Sequence, residues 1–159
     1  KYLPEEYLFV IVGGGDVFEK LKGIIIDNKL ENKVMIKGKV PYQELIQYTY
    51  QADLGLSLDK NTNLNYEFSL PNKLFDYIHH ETPVLASNLT EIRKIVEGNG
   101  VGWILQNHNP ETIANQIQGI FANESDYLAK KENTKLAAEK LTWENEELVL
   151  KHLYSDLLQ

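Results

Sequence analysis

Apolar residues come along this chain in short uninterrupted bursts, and between the bursts they recur every three or four positions among polar ones. The first pattern suits strands buried on both faces, the second amphipathic helices. YLFVIV, Tyr7 to Val12, is the first burst; it stops at Gly13–Gly15 and passes into DVFEKLKGIIIDNKL, where Phe18, Leu21, Ile24 and Ile25 share helical spacing. A second strand is predicted around Val34 to Ile36, then a helix through YQELIQYTY with Pro41 as its first residue, because proline loses nothing at that position. ADLGLSL, Ala52 to Leu58, is a third strand, and the polar DKNTNLNYEF after it is predicted as a mobile loop. A helix from Pro71 to His80 leads into the strand PVLA, Pro83 to Ala86.

Asn88 with Glu91 three positions later has the spacing of a capping box and predicts the next helix start. VGWIL, Val101 to Leu105, is a fifth strand, and Asn109 followed by Pro110 is a cap and first helical residue for a helix whose Ile113, Ile117 and Ile120 share a face. From Ser125 to Gln159 the chain reads as helical, with a stripe of Leu150, Leu153, Tyr154 and Leu157 that should dock on something. Strict alternation of strand and helix predicts an α/β fold: a Rossmann-like open parallel sheet with helices on both faces and right-handed crossovers.

A length of 159 residues suits a single domain, 1–159. Sixteen basic against 23 acidic residues, a net charge of -7, argue against a nucleic-acid partner, which needs a basic face. With no cysteine, disulfides, thiolate metal sites and cysteine nucleophiles are excluded, and a cytoplasmic setting fits. The longest apolar run is far short of the roughly 20 residues of a membrane-spanning helix, so no transmembrane segment is expected. The opening KYLPEEYLF enters its strand with no signal organisation, as a piece of a longer protein would.

In an open parallel sheet, ligands bind beyond the carboxyl ends of the strands. That rule selects Gly13 to Gly15, Gly38 to Val40, Asp59 to Pro71, Ser87 to Thr90 and Gln106 to Asn109. The glycine triplet lets a phosphate approach the amides of a helix start, although Phe18 stands where a dinucleotide fingerprint needs its third glycine and Asp16 repels a bare anion. The strongest chemistry lies in SLPNKLFDYIHHETPVLAS: Leu70 and Pro71 lead into a helix whose first amides, at Asn72 and Lys73, point at the rim. Lys73 adds a movable positive charge, and Asp76 one turn further offers two acceptors for a pair of sugar hydroxyls. Phosphate at the tip and hydroxyls one turn in describe a nucleotide.

Adjacent His79 and His80 point about 100° apart on a helix and lack partners at ligand spacing, so a dipole-favoured helix end is the reading and no metal site is expected. His108 and His152 fall in no ligand or catalytic spacing along the sequence, and no nucleophile elbow or serine, histidine and acid pattern is present.

VIVGGG, IKGKVPYQELIQYTYQADLGLSL, SLPNKLFDYIHHETPVLAS, GVGWIL and LTWENEELVLKHLY follow one another in the order found in the C-terminal, donor-binding domain of GT-B glycosyltransferases. The set resembles most the large retaining group that includes many lipopolysaccharide and capsule enzymes (family GT4). The resemblance implies that Gly13, Gly14, Gly15, Leu70, Pro71, Asn72 and Lys73 face the diphosphate of a nucleotide-sugar, that Asp76 holds the ribose, and that Lys39 and Val40 frame the base. Of the two acidic positions usual in the family, the second falls on Asp76 and the first on Phe68, so the resemblance makes the adjacent Glu67 the candidate catalytic residue, contacting the sugar or its phosphate.

The resemblance further implies front-face displacement with retention at the anomeric carbon and no cofactor or obligatory metal, the nucleotide-sugar being a substrate. It implies that the acceptor-binding N-terminal domain, which would take a saccharide or lipid-linked acceptor, and the first strand of this domain with its diphosphate-binding Arg and Lys, lie upstream of Lys1. The fragment alone should then be inactive. Polysaccharide, lipopolysaccharide or capsule biosynthesis is the expected setting, cytoplasmic or peripheral at the inner face of the membrane. Two alternatives stay open: a non-catalytic nucleotide- or sugar-binding module, and a nucleotide-sugar 2-epimerase of the same two-domain fold.

Overall fold

A computed structural model describes the backbone of residues 1–157 and the side chains of residues 1–155. The order of elements is β1 (Phe9–Val12), α1 (Phe18–Asp27), β2 (Val34–Lys37), α2 (Tyr42–Gln51), β3 (Gly55–Ser57), α3 (Leu64–Phe68), α4 (Asn72–His79), β4 (Val84–Ala86), α5 (Thr90–Asn99), β5 (Gly102–Ile104), α6 (Pro110–Ala122), α7 (Glu124–Lys140) and α8 (Trp143–Leu157). All strand pairs are parallel, as the alternation predicts. They form two sheets rather than one: β1 pairs with β2, and β4 lies between β3 and β5.

β4 organises the larger sheet. Its Val84 and Ala86 face one way, into a core with Leu74 and Ile78 of α4, Ile92 and Val96 of α5 and Ala137 of α7. Leu85 faces the other way, against Ile117 and Ile120 of α6. Successive strand residues alternate between faces, so a strand covered by helices on both sides must be apolar throughout. α2 bridges the two sheets, and the buried Thr82 hydroxyl donates to the Thr49 carbonyl at its end, 2.8 Å away. On the opposite side the Tyr7 ring packs on Phe121 of α6, with centroids 5.7 Å apart.

Several local expectations change in three dimensions. Pro41 and Pro71 stand just before their helices, with extended backbone, rather than inside them. The predicted loop Asp59–Phe68 contains the short helix α3, started by Asn63, whose side chain accepts from the Tyr66 amide at 3.1 Å. The capping box at Asn88 does not form: α5 begins at Thr90, and its cap comes from Glu67 instead. The apolar stripe of α8 does not dock, since Leu150, Leu153 and Tyr154 are exposed, and the side chain of Leu157 lies outside the described residues. Ile24, expected inside with Ile25, is also exposed, because α1 covers a sheet of only two strands and has more apolar side chain than surface to bury.

Gly55 opens β3 against the ring of Tyr77 in α4, and a Cβ added there would stand 2.4 Å from the ring carbon Cγ. Glycine is the residue that lets helix and strand approach this closely. Gly55→Ala should therefore lower stability by about 1–3 kcal/mol through overpacking. Gly119→Ala, in a helix with open space at that position, should leave stability unchanged or raise it by up to about 1 kcal/mol. Urea midpoints of the two variants against the parent check this.

Candidate functional site

The loops selected by the carboxyl-end rule converge into a chain of contacts. Gly13 has φ of +147°, a conformation open to glycine, and its amide donates to the Lys37 carbonyl at 3.1 Å, closing the turn after β1 against the end of β2. A Cβ on Gly14 would come within 3.2 Å of the Lys39 side chain, so the glycine turn and the loop after β2 are packed together. Val40 is half-buried, and two residues later the Tyr42 hydroxyl donates to Asp76 Oδ1 at 3.1 Å. Tyr42 was not singled out in the sequence. The acidic helix position it serves lies 34 residues away, and no local spacing reports such a pair. The Asp76 carboxylate, by accepting this bond and by its charge, raises the Tyr42 hydroxyl above its ordinary pKa.

At the tip of α4 the first turn is open. Pro71 supplies no side-chain cap, and the Leu74 amide already donates to the Pro71 carbonyl at 3.0 Å. The amides of Asn72 and Lys73 thus remain at the positive end of the helix. Leu70 and Asn72 are exposed beside them. Lys73 Nζ rests 2.8 Å from Asp59 Oδ2, an oxygen that also accepts from the buried Ser57 hydroxyl at 3.3 Å. Both members of the ion pair are partly solvated, so it is worth no more than about 1 kcal/mol and Lys73 can exchange Asp59 for another anion. The cations along this rim, Lys39, Lys60 and Lys73, stand against Asp16, Asp59, Glu67 and Asp76, so the rim carries no excess of positive charge to offer a diphosphate.

Glu67 is engaged elsewhere. Its Oε1 accepts from the Thr90 amide at 3.3 Å and from the Thr90 hydroxyl, and its Oε2 accepts from Asn61. A carboxylate on the first amide of α5 fills the positive end of that helix, leaving the α4 tip open by contrast. Phe68, at the neighbouring position, is exposed.

His79 and His80 close the far end of α4, with His79 Nε2 2.9 Å from the Leu141 carbonyl and His80 Nδ1 2.7 Å from the Asp76 carbonyl. They are structural, as the helix-end reading holds. His108 does not stand alone: its Nε2 lies 3.1 Å from Oγ of the buried Ser87, joining the loops after β4 and β5. Among the described residues no three histidine or acidic side chains gather as metal ligands, and no helix is long and apolar enough to cross a membrane.

The family described as glycosyl transferases group 1 matches residues 1–140. The chain belongs to that family. The amylovoran biosynthesis glycosyltransferase AmsK of Erwinia amylovora is 26% identical over 118 residues, covering 74% of this chain and 29% of that protein. HepE of Anabaena, solved with UDP-glucose, superposes with a TM-score of 0.77 at 18% identity over 96% of this chain and 42% of its own. Sucrose-phosphate synthase from Thermosynechococcus elongatus gives 0.71 at 18% identity over 98% and 47%. The α/β fold with parallel strands is thus that of known glycosyltransferases, and this chain spans less than half the length of each of these relatives.

Glu67→Gln keeps the size and one acceptor of the side chain but removes the charge from the start of α5. It should cost about 1 kcal/mol, read as a lower urea midpoint, and Thr90→Ala should cost a similar amount without the two adding, since they share one contact.

Proposed function

We propose that this chain is the donor-binding part of a glycosyltransferase, taking a nucleotide-diphosphate-sugar whose diphosphate meets the open tip of α4. The observation that carries this reading is the arrangement of one helix: uncapped amides at Asn72 and Lys73, a cation held by a weak and exchangeable ion pair, and Asp76 one turn further. Family membership and the UDP-glucose bound by HepE support it. Gly13, Gly14 and Gly15 would line the other side of the diphosphate, Lys39 and Val40 the base, and Asp76 the ribose hydroxyls, with Leu70 and Pro71 shaping the approach. The Tyr42 hydroxyl bonds one oxygen of Asp76 and so orients the carboxylate.

The reaction is retaining transfer of the GT4 kind. The bond from the anomeric carbon to the diphosphate oxygen breaks, a bond to an acceptor hydroxyl forms on the same face, and the acceptor proton leaves with the nucleoside diphosphate. Such catalysis is positioning and charge stabilisation across a cleft. Further positive groups for the diphosphate and the acceptor site are proposed to come from other parts of a longer polypeptide. No metal or other cofactor enters the proposal. A saccharide or lipid-linked acceptor of polysaccharide, lipopolysaccharide or capsule assembly, met in the cytoplasm or at the inner face of the membrane, completes it. Glu67 is proposed to act on the sugar side, reached when its bond to Thr90 is exchanged.

Ligand-observed NMR of the full-length protein with UDP, GDP, ADP and CMP tests the reading. One nucleoside diphosphate should bind, and Asp76→Ala should weaken it by about tenfold, on the order of 1.4 kcal/mol. Equal affinity in the variant, or no binding by any of the four, rejects the α4 site. For Glu67, sugar contact predicts that Glu67→Gln lowers turnover of the full-length enzyme at a temperature where it remains folded. Unchanged turnover leaves it as the cap of α5 alone.

A further inference from the structure

On the face of the larger sheet opposite α4, where Leu85 and Trp103 meet α6, the chain has a second concave surface. It is a groove of about 670 Å³ between α6 and β5, with the buried Ile120 and the half-buried Trp103 among its lining and the exposed Gln106, Asn115 and Asn123 beside them. That volume falls within the roughly 300–1,000 Å³ of small-molecule sites. We propose that this groove binds an uncharged saccharide, a short stretch of glycan, at a place separate from the α4 tip. The inference rests on the chemistry of the groove and not on the donor site.

The backbone beside the groove is already satisfied. β5 is an edge strand, with β4 as its neighbour on one side. Val101 accepts from Val84 and Leu105 donates to Ala86, so Gly102, Ile104 and Gln106 turn their peptide groups outward. Gln116 of α6 meets them: its Nε2 donates to the Ile104 carbonyl at 2.8 Å, and its Oε1 accepts from the Gln106 amide at 3.2 Å. One side-chain amide thus takes the place of one peptide unit of a neighbouring parallel strand. An extended peptide finds this point of the edge closed, and recognition in the groove falls to side chains.

Those side chains select the ligand. Asp126 is the one charged residue lining the groove among the described residues, and no lysine or arginine lines it, so phosphates and other anions are disfavoured. The Trp103 indole Nε1 donates to Asp126 Oδ2 at 2.8 Å, which holds the ring in one orientation. The C–H groups on the face of a sugar ring, made slightly positive by the neighbouring oxygens, are attracted to the negative face of an aromatic ring. Asn123 Oδ1 accepts from the Asp126 amide at 3.3 Å, which fixes that side chain and leaves its NH2 as a donor. Asn115, two turns earlier on the same side of α6, offers a donor and an acceptor on one planar group, and Thr112 a hydroxyl. Sugar hydroxyls both donate and accept, so a ligand with hydroxyls around its rim and C–H groups on its faces matches this lining.

Gly119 keeps the middle of the groove free. A Cβ there would meet nothing within 4 Å, so packing does not call for glycine, although glycine inside a helix costs up to about 1 kcal/mol relative to alanine. From Thr112 to Asn123 the helix advances about 16 Å, room for more than one sugar ring.

Titration of the isotope-labelled full-length protein with maltotriose, cellotriose and inorganic phosphate tests this, read by NMR at the Trp103 indole N–H and the Asn115 and Asn123 side-chain amides. At least one of the sugars should give saturable shifts there, with the same affinity in Asp76→Ala and in the presence of excess UDP. Gly119→Gln, which puts a side chain into the open middle of the groove, should weaken that binding about tenfold, and Asn115→Ala, at an exposed position, about threefold. Absence of saturable shifts with both sugars overturns the proposal, as does an affinity that neither substitution changes. Saturation of the same resonances by phosphate also overturns it, because the groove would then be an anion site. Nucleotide binding is read separately at the α4 tip, so either proposal can fail without the other.

Discussion

Val84, Leu85 and Ala86 are all shielded from solvent, and three consecutive buried residues in an extended chain require apolar cover on both faces of the sheet. That requirement places α4, α5 and α7 on one side of β4 and α6 on the other. It also forces the Tyr77 ring of α4 down onto Gly55. Burial pushes the Tyr77 hydroxyl up from its ordinary pKa, while the Leu56 amide beside it draws it partly back, so the ring is anchored at the strand edge as well as packed. With α4 held this firmly, its first turn projects at the rim in a defined position.

Helix ends at that rim differ in how they are finished. α6 is closed by Asn109, whose side chain accepts from the Glu111 and Thr112 amides, and α5 by Glu67 from a distant loop. α4 begins after a proline, with no side-chain cap on its outer amides among the described residues and a lysine in its first turn. A helix tip that is left unfinished, beside one that recruits a carboxylate from 23 residues away, is where an external anion gains most. The glycine turn meets the loop after β2 at Lys39, and Tyr42 just beyond that loop bonds Asp76 of α4, so the candidate site draws on three loops of one frame.

The smaller sheet is covered less fully than the larger one. Its strand β1 keeps Leu8, Phe9 and Val10 exposed, and α1 carries Ile24 and Ile26 on its surface. The larger sheet buries its centre on both faces, whereas β1 has a neighbour along one edge only. Contiguous exposed apolar surface of this kind favours cover by another surface.

Much of the architecture could be read along the chain because periodicity and capping are local. Uninterrupted apolar runs, Asn109 followed by Pro110, and the isoleucines of α6 act within a few residues, and each element they predict is present. The loop after β3 hid α3, whose only local signal is Asn63 three positions before Tyr66. Other features depend on residues far apart in sequence. Glu67 finds Thr90, Tyr42 finds Asp76, and His108 finds Ser87 only after the strands have set the loops side by side. Residue types and spacing by themselves determined which segments are strands and helices and that α4 would carry a cation and an acid one turn apart. Which helix tip stays open, which charges are already paired and where the sheet divides were decided by the tertiary structure, because each depends on contacts that no local rule contains.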